Sequence, residues 1–382
     1  MSKASPRIMI LYASYGSGHL QAAHAIEAEL RQRGMNDIVL LDLMAEAYPL
    51  LYEINKFVYK QCFKLAPQIY GWIYDKTKHM QPDSSLATLL HGLGSAKLKK
   101  YLFHEQPDLI IHTFPQAAAS LLVRRATDSP RMVTIITDFD LHGRWLHAGV
   151  DRYYVATDDL KNEAVKRGIC PEQVIASGIP LLPLFESLAD KEQSGLPKGL
   201  VLNPNRKSVL LMGGVYGAMK NYGDICRQLS LESDLELIVV CGRNDALYRK
   251  LSFLFKDHPY VHVLGYVNQI CGLMKHSSCM ITKPGGITLS ECIACKLPLF
   301  LYSPAPGQEQ GNAQYLKAKG AAVVSYQPEE LSRQVCDLIR DQGAVNGLRE
   351  RITSLHKPQA AKTIVDDLLE NILDVNTELL GV

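Results

Sequence analysis

The sequence lacks any apolar run approaching the roughly 18 to 20 residues that a membrane-spanning helix needs. The opening MSKASPRIMILYAS has one basic patch and passes straight into a short strand, which leaves no room for a signal-peptide core and its cleavage site. A cytoplasmic chain, or one held at the inner face of the cell membrane, is therefore expected. Net charge is also scarce: 41 lysines and arginines face 39 acids, for +2 overall, and nothing in that total points to nucleic acid. The nine cysteines follow no regular frame. The one CxxC, Cys292 and Cys295, has no second pair at zinc-finger spacing, so buried thiols in a reducing compartment are expected, with neither metal nor cofactor. With 47% hydrophobic and 21% charged residues over 382 positions, what is left is an ordinary globular chain, long enough for two domains.

A local shortage is more informative. Between Ile54 and His104 there is no arginine and there are two acids, Asp75 and Asp83, against eight lysines, a local balance of +6 in a chain whose total is +2. At about 100° per residue, Leu51, Ile54, Val58, Cys62, Leu65 and Ile69 share one helical face and Lys56, Lys60 and Lys64 the opposite one. Phe57 and Phe63 flank the lysine stripe, and Tyr70, Trp72 and Tyr74 continue it. A basic face edged by aromatics suits an anionic lipid surface, with lysines reaching headgroups and rings at the acyl boundary. An ordinary wet face explains the apolar side equally well, but not the missing acids.

What the chain does have is glycine turns between strands and helices. Strand Ile8 to Ala13 leads through Gly16, Gly18 and His19 into a helix from Leu20 to Arg33, with Ala22, Ala23, Ile26 and Leu30 at helical spacing and Gly34 as its stop. A second strand, Ile38 to Leu43, follows. A dinucleotide site with Asp42 on the ribose would need a small residue at position 21, which is Gln21. A second such unit, Met280 to Thr282, Pro284-Gly285-Gly286 and a helix from Ile287 to Cys295, lets a phosphate approach the backbone at a helix N-terminus. Glu291, one turn in, is placed to accept from two ribose hydroxyls unless it is simply solvated. After strand Pro298 to Ser303, the cluster Gln308, Glu309 and Asn312 suits sugar hydroxyls or a helix cap. A third loop, Gly213-Gly214-Val215-Tyr216-Gly217, follows strand Ser208 to Met212. Further strands at Asp108 to His112, Met132 to Thr137, Glu236 to Val240 and Val261 to Gly265 complete an alternating β/α pattern, which predicts parallel sheets.

The residues also resemble a family. KPGGITLSE followed by PAPGQEQGNAQYL, the loop GSGHLQAA and the segment TDFDLHGRWLHAGVDRYYVAT are similar to the processive diacylglycerol glucosyltransferases and monogalactosyldiacylglycerol synthases. The donor half is more distantly similar to the enzyme that adds N-acetylglucosamine to the lipid-linked peptidoglycan precursor. The resemblance implies two Rossmann-like, doubly wound α/β domains facing a cleft, the glycosyltransferase-B fold. Their expected bounds are 1–195 for the lipid acceptor and 196–360 for the UDP-sugar, with 361–382 crossing the junction. It implies an inverting transfer of a hexose, glucose in preference to galactose, from a UDP-sugar to the 3-hydroxyl of diacylglycerol, with no metal, and repeated addition is open.

Carried over residue by residue, the resemblance gives His19 and Asp138 catalytic roles and puts Gly16, Gly18, His142 and Trp145 at the acceptor. His147, Asp151, Tyr153 and Thr157 complete that segment's match. Gly213, Gly214, Gly285, Gly286, Thr288 and Arg243 meet the diphosphate, Tyr266 and Val267 the uracil, Glu291 the ribose, and Gln308, Glu309 and Asn312 the hexose. Lys56, Phe57, Lys60, Phe63, Lys64 and Trp72 meet the membrane. The rival readings are an N-acetylglucosamine transferase acting on a polyprenyl-linked precursor, and a membrane-bound UDP-sugar sensor without catalysis.

Overall fold

The computed structural model describes residues 6–14, 18–42, 45–46, 67–78, 80, 95–115, 129–147, 149–186, 195–215, 217, 219–268 and 270–375. Gly16, Tyr216 and the stretch with Lys56, Phe57, Lys60, Phe63 and Lys64 lie outside them. Contacts divide the chain into two units: Met1–Leu182 with Pro306–Gln308 and Lys357–Val382, and Pro183–Ala305 with Glu309–His356.

The first unit contains a sheet of β1 (Ile8–Tyr12), β2 (Ile38–Asp42), β3 (Leu109–His112), β4 (Arg131–Ile135), β5 (Arg152–Tyr154) and β6 (Val174–Ile175). The order is β2-β1-β3-β4-β5-β6, every described pair parallel. The strands are continuous apolar runs such as IMILY because both faces are covered. One face packs Ile8, Ile10, Ile111 and Val133 on Ala23, Ile26 and Leu30 of α1 (Gly18–Gln32), and the other packs Met9, Leu11 and Ile110 on Leu98. Gly34, at φ +78°, ends α1: its N–H bonds Arg31 O at 3.0 Å and the next N–H, of Met35, reaches back to Leu30 O at 3.0 Å. The unit also holds α2 (Pro67–Lys78), α3 (Ser95–Glu105) and α4 (Asp158–Lys166). The helix Ala360–Asp367 returns to the first face, where Ile364, Val365 and Leu368 are fully buried.

The second unit contains β7 (Lys207–Met212), β8 (Leu235–Val240), β9 (Val261–Leu264), β10 (Cys279–Thr282), β11 (Leu299–Tyr302) and β12 (Val323–Ser325). Its helices are α5 (Pro183–Glu186), α6 (Tyr222–Ser230), α7 (Asp245–Leu254), α8 (Ile270–His276), α9 (Gly286–Ala294), α10 (Gln308–Ala318, whose first residue counts with the first unit), α11 (Pro328–Arg340) and α12 (Gln342–Ser354). The parallel order is β12-β11-β10-β7-β8-β9. The unit's first strand, β7, lies beside its fourth, β10. That is the doubly wound order in which connections reverse between those two strands, and the crevice beyond their carboxyl ends is where such sheets bind ligands. In the first unit the reversal lies between β1 and β3.

Candidate active site

In the second unit Met212 pairs with Thr282, so the loops that leave β7 and β10 are neighbours at the reversal point. Gly213 has no room for a side chain: a Cβ there would lie 2.6 Å from the Tyr222 hydroxyl and 2.9 Å from Met219 N. Gly214 continues the turn at φ +76°. On the β10 side Gly285 caps α9 with an extended backbone and no side-chain bond, and a Cβ built on it would meet nothing within 4 Å. Leu289 N is bonded back to Gly285 O at 3.0 Å, so Gly286, Ile287 and Thr288 head the helix with first-turn amides, which have no carbonyl of their own helix to bond. With the positive end of the helix dipole, these amides make the helix start a place that favours an anion.

Glu291 stands one turn further on and is 5% exposed. It takes no hydrogen bond from any described residue, and burial, with a smaller contribution from Cys271, raises its pKa to about 8. Asn312, fully buried, donates Nδ2 to Pro284 O at 3.0 Å and so staples the glycine loop to α10. Glu309 accepts from Ala305 N at 2.9 Å with one oxygen, and its other lies 2.6 Å from Lys283 Nζ. The sequence reading passed over Lys283, although a lysine directly before Pro-Gly-Gly is a signal that was there to use. The Arg243 guanidinium lies 4.7 Å over the ring of Tyr266, with Val267 half-buried beside it. Arg243 N bonds Val215 O at 2.6 Å, an approach that Gly242 permits, since a Cβ there would fall 2.2 Å from that oxygen.

The CxxC does not act as a pair. Cys292 Sγ meets Met280 Sδ at 3.3 Å, whereas the Cys295 thiol is hydrogen-bonded with Cys271. Among the described residues no group of three or more His, Cys, Asp or Glu could hold a metal ion.

In the first unit Leu11 pairs with His112 and His112 with Thr134, so the chain ends leaving β1, β3 and β4 converge. His19, in the first turn of α1, has Nδ1 3.1 Å from Thr137 Oγ1. Its ring meets Phe114 edge-on at 5.1 Å and lies 6.1 Å from Trp145. Thr113 Oγ1 donates to His19 O at 3.0 Å and holds the start of α1, with Gly18, against β3. Burial lowers the His19 pKa to about 4, against an opposing backbone hydrogen bond with Thr113. The imidazole is therefore neutral at ordinary cellular pH. Asp138, the next residue after Thr137, is buried and accepts from Gln308 Nε2. His142 uses both ring nitrogens locally: Nδ1 accepts from Arg144 N at 3.0 Å, and Nε2 faces Tyr74 O at 3.1 Å and Thr77 Oγ1 at 3.2 Å.

On the same unit Trp72 is 62% and Ile73 50% exposed on α2, while α3 carries exposed Lys99 and Lys100 beside Phe103, 81% exposed. Among the described residues no helix is long and apolar enough to cross a membrane.

Against known proteins, the family model described as monogalactosyldiacylglycerol (MGDG) synthase matches residues 19–181, and the one described as glycosyl transferases group 1 matches residues 200–355. A processive diacylglycerol beta-glucosyltransferase of Bacillus cereus (strain AH187) is 36% identical over 374 residues, covering 97% of this chain and 96% of that protein. The chain belongs to the processive diacylglycerol β-glucosyltransferase family. It is an enzyme of the diacylglycerol glycosyltransferase class. Its fold is that of the glycosyltransferase-B enzymes and related epimerases. A putative UDP-N-acetylglucosamine 2-epimerase from Listeria monocytogenes superposes with TM-score 0.64 at 13% identity, covering 98% of both chains. MurG of Acinetobacter baumannii does so with TM-score 0.60 at 14% identity, covering 96% of this chain and 100% of that one. For this glycosyltransferase those two likenesses bear on the fold alone.

Proposed function

We propose that this enzyme transfers glucose from UDP-glucose to the 3-hydroxyl of diacylglycerol at the inner face of the cell membrane, inverts the anomeric carbon, and takes its product as a further acceptor. The observation that carries the reading is Glu291, a buried carboxylate with no hydrogen bond from the described protein, directly behind an anion-binding helix end. A nucleoside diphosphate supplies both complements, phosphates for the amides of Gly286 to Thr288 and two ribose hydroxyls for the carboxylate. Gly213 and Gly214 border the diphosphate from the β7 side. Tyr266 and Val267 border the uracil, Arg243 offers a charge to the diphosphate, and Lys283 and Glu309 offer a charged pair to the hexose.

The acceptor half follows from His19. A neutral imidazole takes the proton of the lipid hydroxyl as its oxygen attacks the anomeric carbon from the face opposite the phosphate. The bond from that carbon to the diphosphate oxygen breaks, UDP leaves, and the configuration inverts. The charge gathering on the leaving diphosphate is met by the α9 amides and dipole, so this chain's own groups provide stabilisation at that point. The exposed Trp72, Ile73 and Phe103, with exposed Lys76, Lys99 and Lys100 on the same helices, support attachment to an anionic surface, and the sequence reading adds Lys56, Phe57, Lys60, Phe63 and Lys64.

The family model over residues 19–181 bears the name of a galactolipid synthase, which makes UDP-galactose the alternative donor. Purified protein with diacylglycerol in anionic mixed micelles and labelled UDP-glucose or UDP-galactose in parallel tests the reading. Label in lipid from UDP-glucose alone, as a ladder of slower products, is expected. Label from UDP-galactose alone overturns the sugar, a single product overturns repeated addition, and no lipid label overturns the acceptor.

A further inference from the structure

Helix α2, which shows Trp72 to solvent, is tied by several bonds to residues 140–143 and to Arg167. Asp140 holds it at two points: Tyr74 Oη donates to Oδ2 at 3.1 Å, and Lys78 Nζ lies 2.7 Å from Oδ1. His142 holds it at a third. Because Nδ1 accepts from Arg144 N, the ring proton sits on Nε2 and points at Tyr74 O, 3.1 Å away, while the imidazole lies 4.3 Å from the Tyr74 ring. Gly143 seals the contact, since a Cβ there would come within 2.6 Å of Met80 O. Arg167 Nη1 adds a bond to Lys78 O at 3.1 Å.

The other end of this construction is the active site. His142 caps the short 3-10 turn Gly143–Trp145, and Trp145, 1% exposed, faces the His19 ring. The two tryptophans of the chain are thus linked through one set of bonded contacts, Trp72 out in solvent and Trp145 beside His19.

We propose that Asp140 and His142 are positioning residues that lock α2 to the Trp145 turn, so that seating Trp72 and Ile73 in a lipid surface brings the acceptor hydroxyl into register with His19. The proposal rests on the transferase reading above and adds to it how a membrane-embedded acceptor finds the base. Lys76 on α2 and Lys99 and Lys100 on α3, all exposed, select an anionic surface as the seat, and the clamp converts the depth and tilt of that seat into the placement of a hydroxyl. A reactant displaced by about an ångström loses on the order of a hundredfold in rate, so a loosened clamp is costly only where the surface does the placing.

The test is Asp140→Ala, with Tyr74→Phe as a milder variant that removes one bond and no charge. Each is assayed on diacylglycerol in phosphatidylglycerol–phosphatidylcholine vesicles and on a short-chain diacylglycerol dissolved as monomer. On vesicles kcat should fall roughly tenfold or more for Asp140→Ala, with the KM for the UDP-sugar and vesicle pelleting unchanged. On the monomeric acceptor the variants should stay within about twofold of the unmodified protein, because no surface places it. An equal loss on both acceptors would make the clamp merely structural, and no loss on vesicles would remove it altogether. In a Trp72→Phe background, emission from Trp145 alone should shift when vesicles are added, and Asp140→Ala should abolish that shift while pelleting persists. A Trp145 that ignores bound vesicles overturns the coupling. Failure of the transferase reading shows separately, as the absence of lipid product from the unmodified chain on either acceptor.

Discussion

Lys283 Nζ lies 2.6 Å from Glu309 Oε1, while the other Glu309 oxygen is pinned by Ala305 N at 2.9 Å. The carboxylate is thus held between the loop after β10 and the loop after β11, and its charge is balanced beside the proposed hexose position. Each partner orients the other, so their removal should not be additive. Lys283→Met and Glu309→Gln should each lower kcat/KM for the UDP-sugar by roughly tenfold to a hundredfold, and the double variant should lose little more than the worse single. Steady-state kinetics on the double-mutant cycle checks this, and additive losses would separate the two residues.

Glu291 makes a proton-linked prediction. Its pKa of about 8 in the unliganded protein means that it is largely neutral at pH 7, whereas ribose hydroxyls donating to it favour the ionised form. UDP binding should therefore release a proton at pH 7, seen as a binding enthalpy that varies with the ionisation enthalpy of the buffer. Glu291→Gln should bind UDP more weakly and release none.

His19 should limit the reaction at unusually low pH. With its pKa lowered to about 4, the proposed base is already unprotonated at pH 6, so the acid limb of kcat/KM that belongs to it should lie near pH 4 and not near the ordinary 6.5. His19→Ala should cost roughly a hundredfold to ten-thousandfold in kcat, with UDP affinity and vesicle binding retained.

Stability should fall with acid earlier than carboxylates alone would cause. Burial lowers His19, His112 and His142 to about 4 each. The unfolded chain binds more protons than the folded one between 6.5 and 4, so the stability these groups permit is fully present above 6.5 and is lost as pH falls through that window. For a fully buried histidine the loss is on the order of 3 kcal/mol. Glu291 works in the opposite sense: its raised pKa gives stability that is present below 4.5 and lost as pH rises through about 8. Urea midpoints from pH 8 to pH 4 read both arms, and Glu291→Gln should flatten the alkaline one alone.

Much of this was legible from local pattern. The strand, glycine turn and helix at residues 279–294 could be read because two glycines before an apolar helix say the same thing in any context, and β1, β7 and β10 because buried parallel strands are short apolar runs. The three-residue β12 carries too little sequence to announce itself. As side chains Asn312 and Glu309 suit sugar hydroxyls or a helix cap, and in the fold they build the loops, through Pro284 O, Ala305 N and Lys283.

The class of fold and the family were already present in the sequence, since glycine turns and family motifs depend on residue types within a dozen positions of one another. Tertiary structure alone decided which distant groups meet. It paired Cys295 with Cys271 and sent Cys292 to Met280, because α9 turns its residues to different neighbours whatever their spacing. It brought Ile364 and Val365 back onto Ile8 and Ile10, across most of the chain's length. It set Thr137 against His19, where the order of strands brings together the chain leaving β1 and β4, and Asp140 against Tyr74 of a helix remote in sequence, contacts that no local pattern encodes.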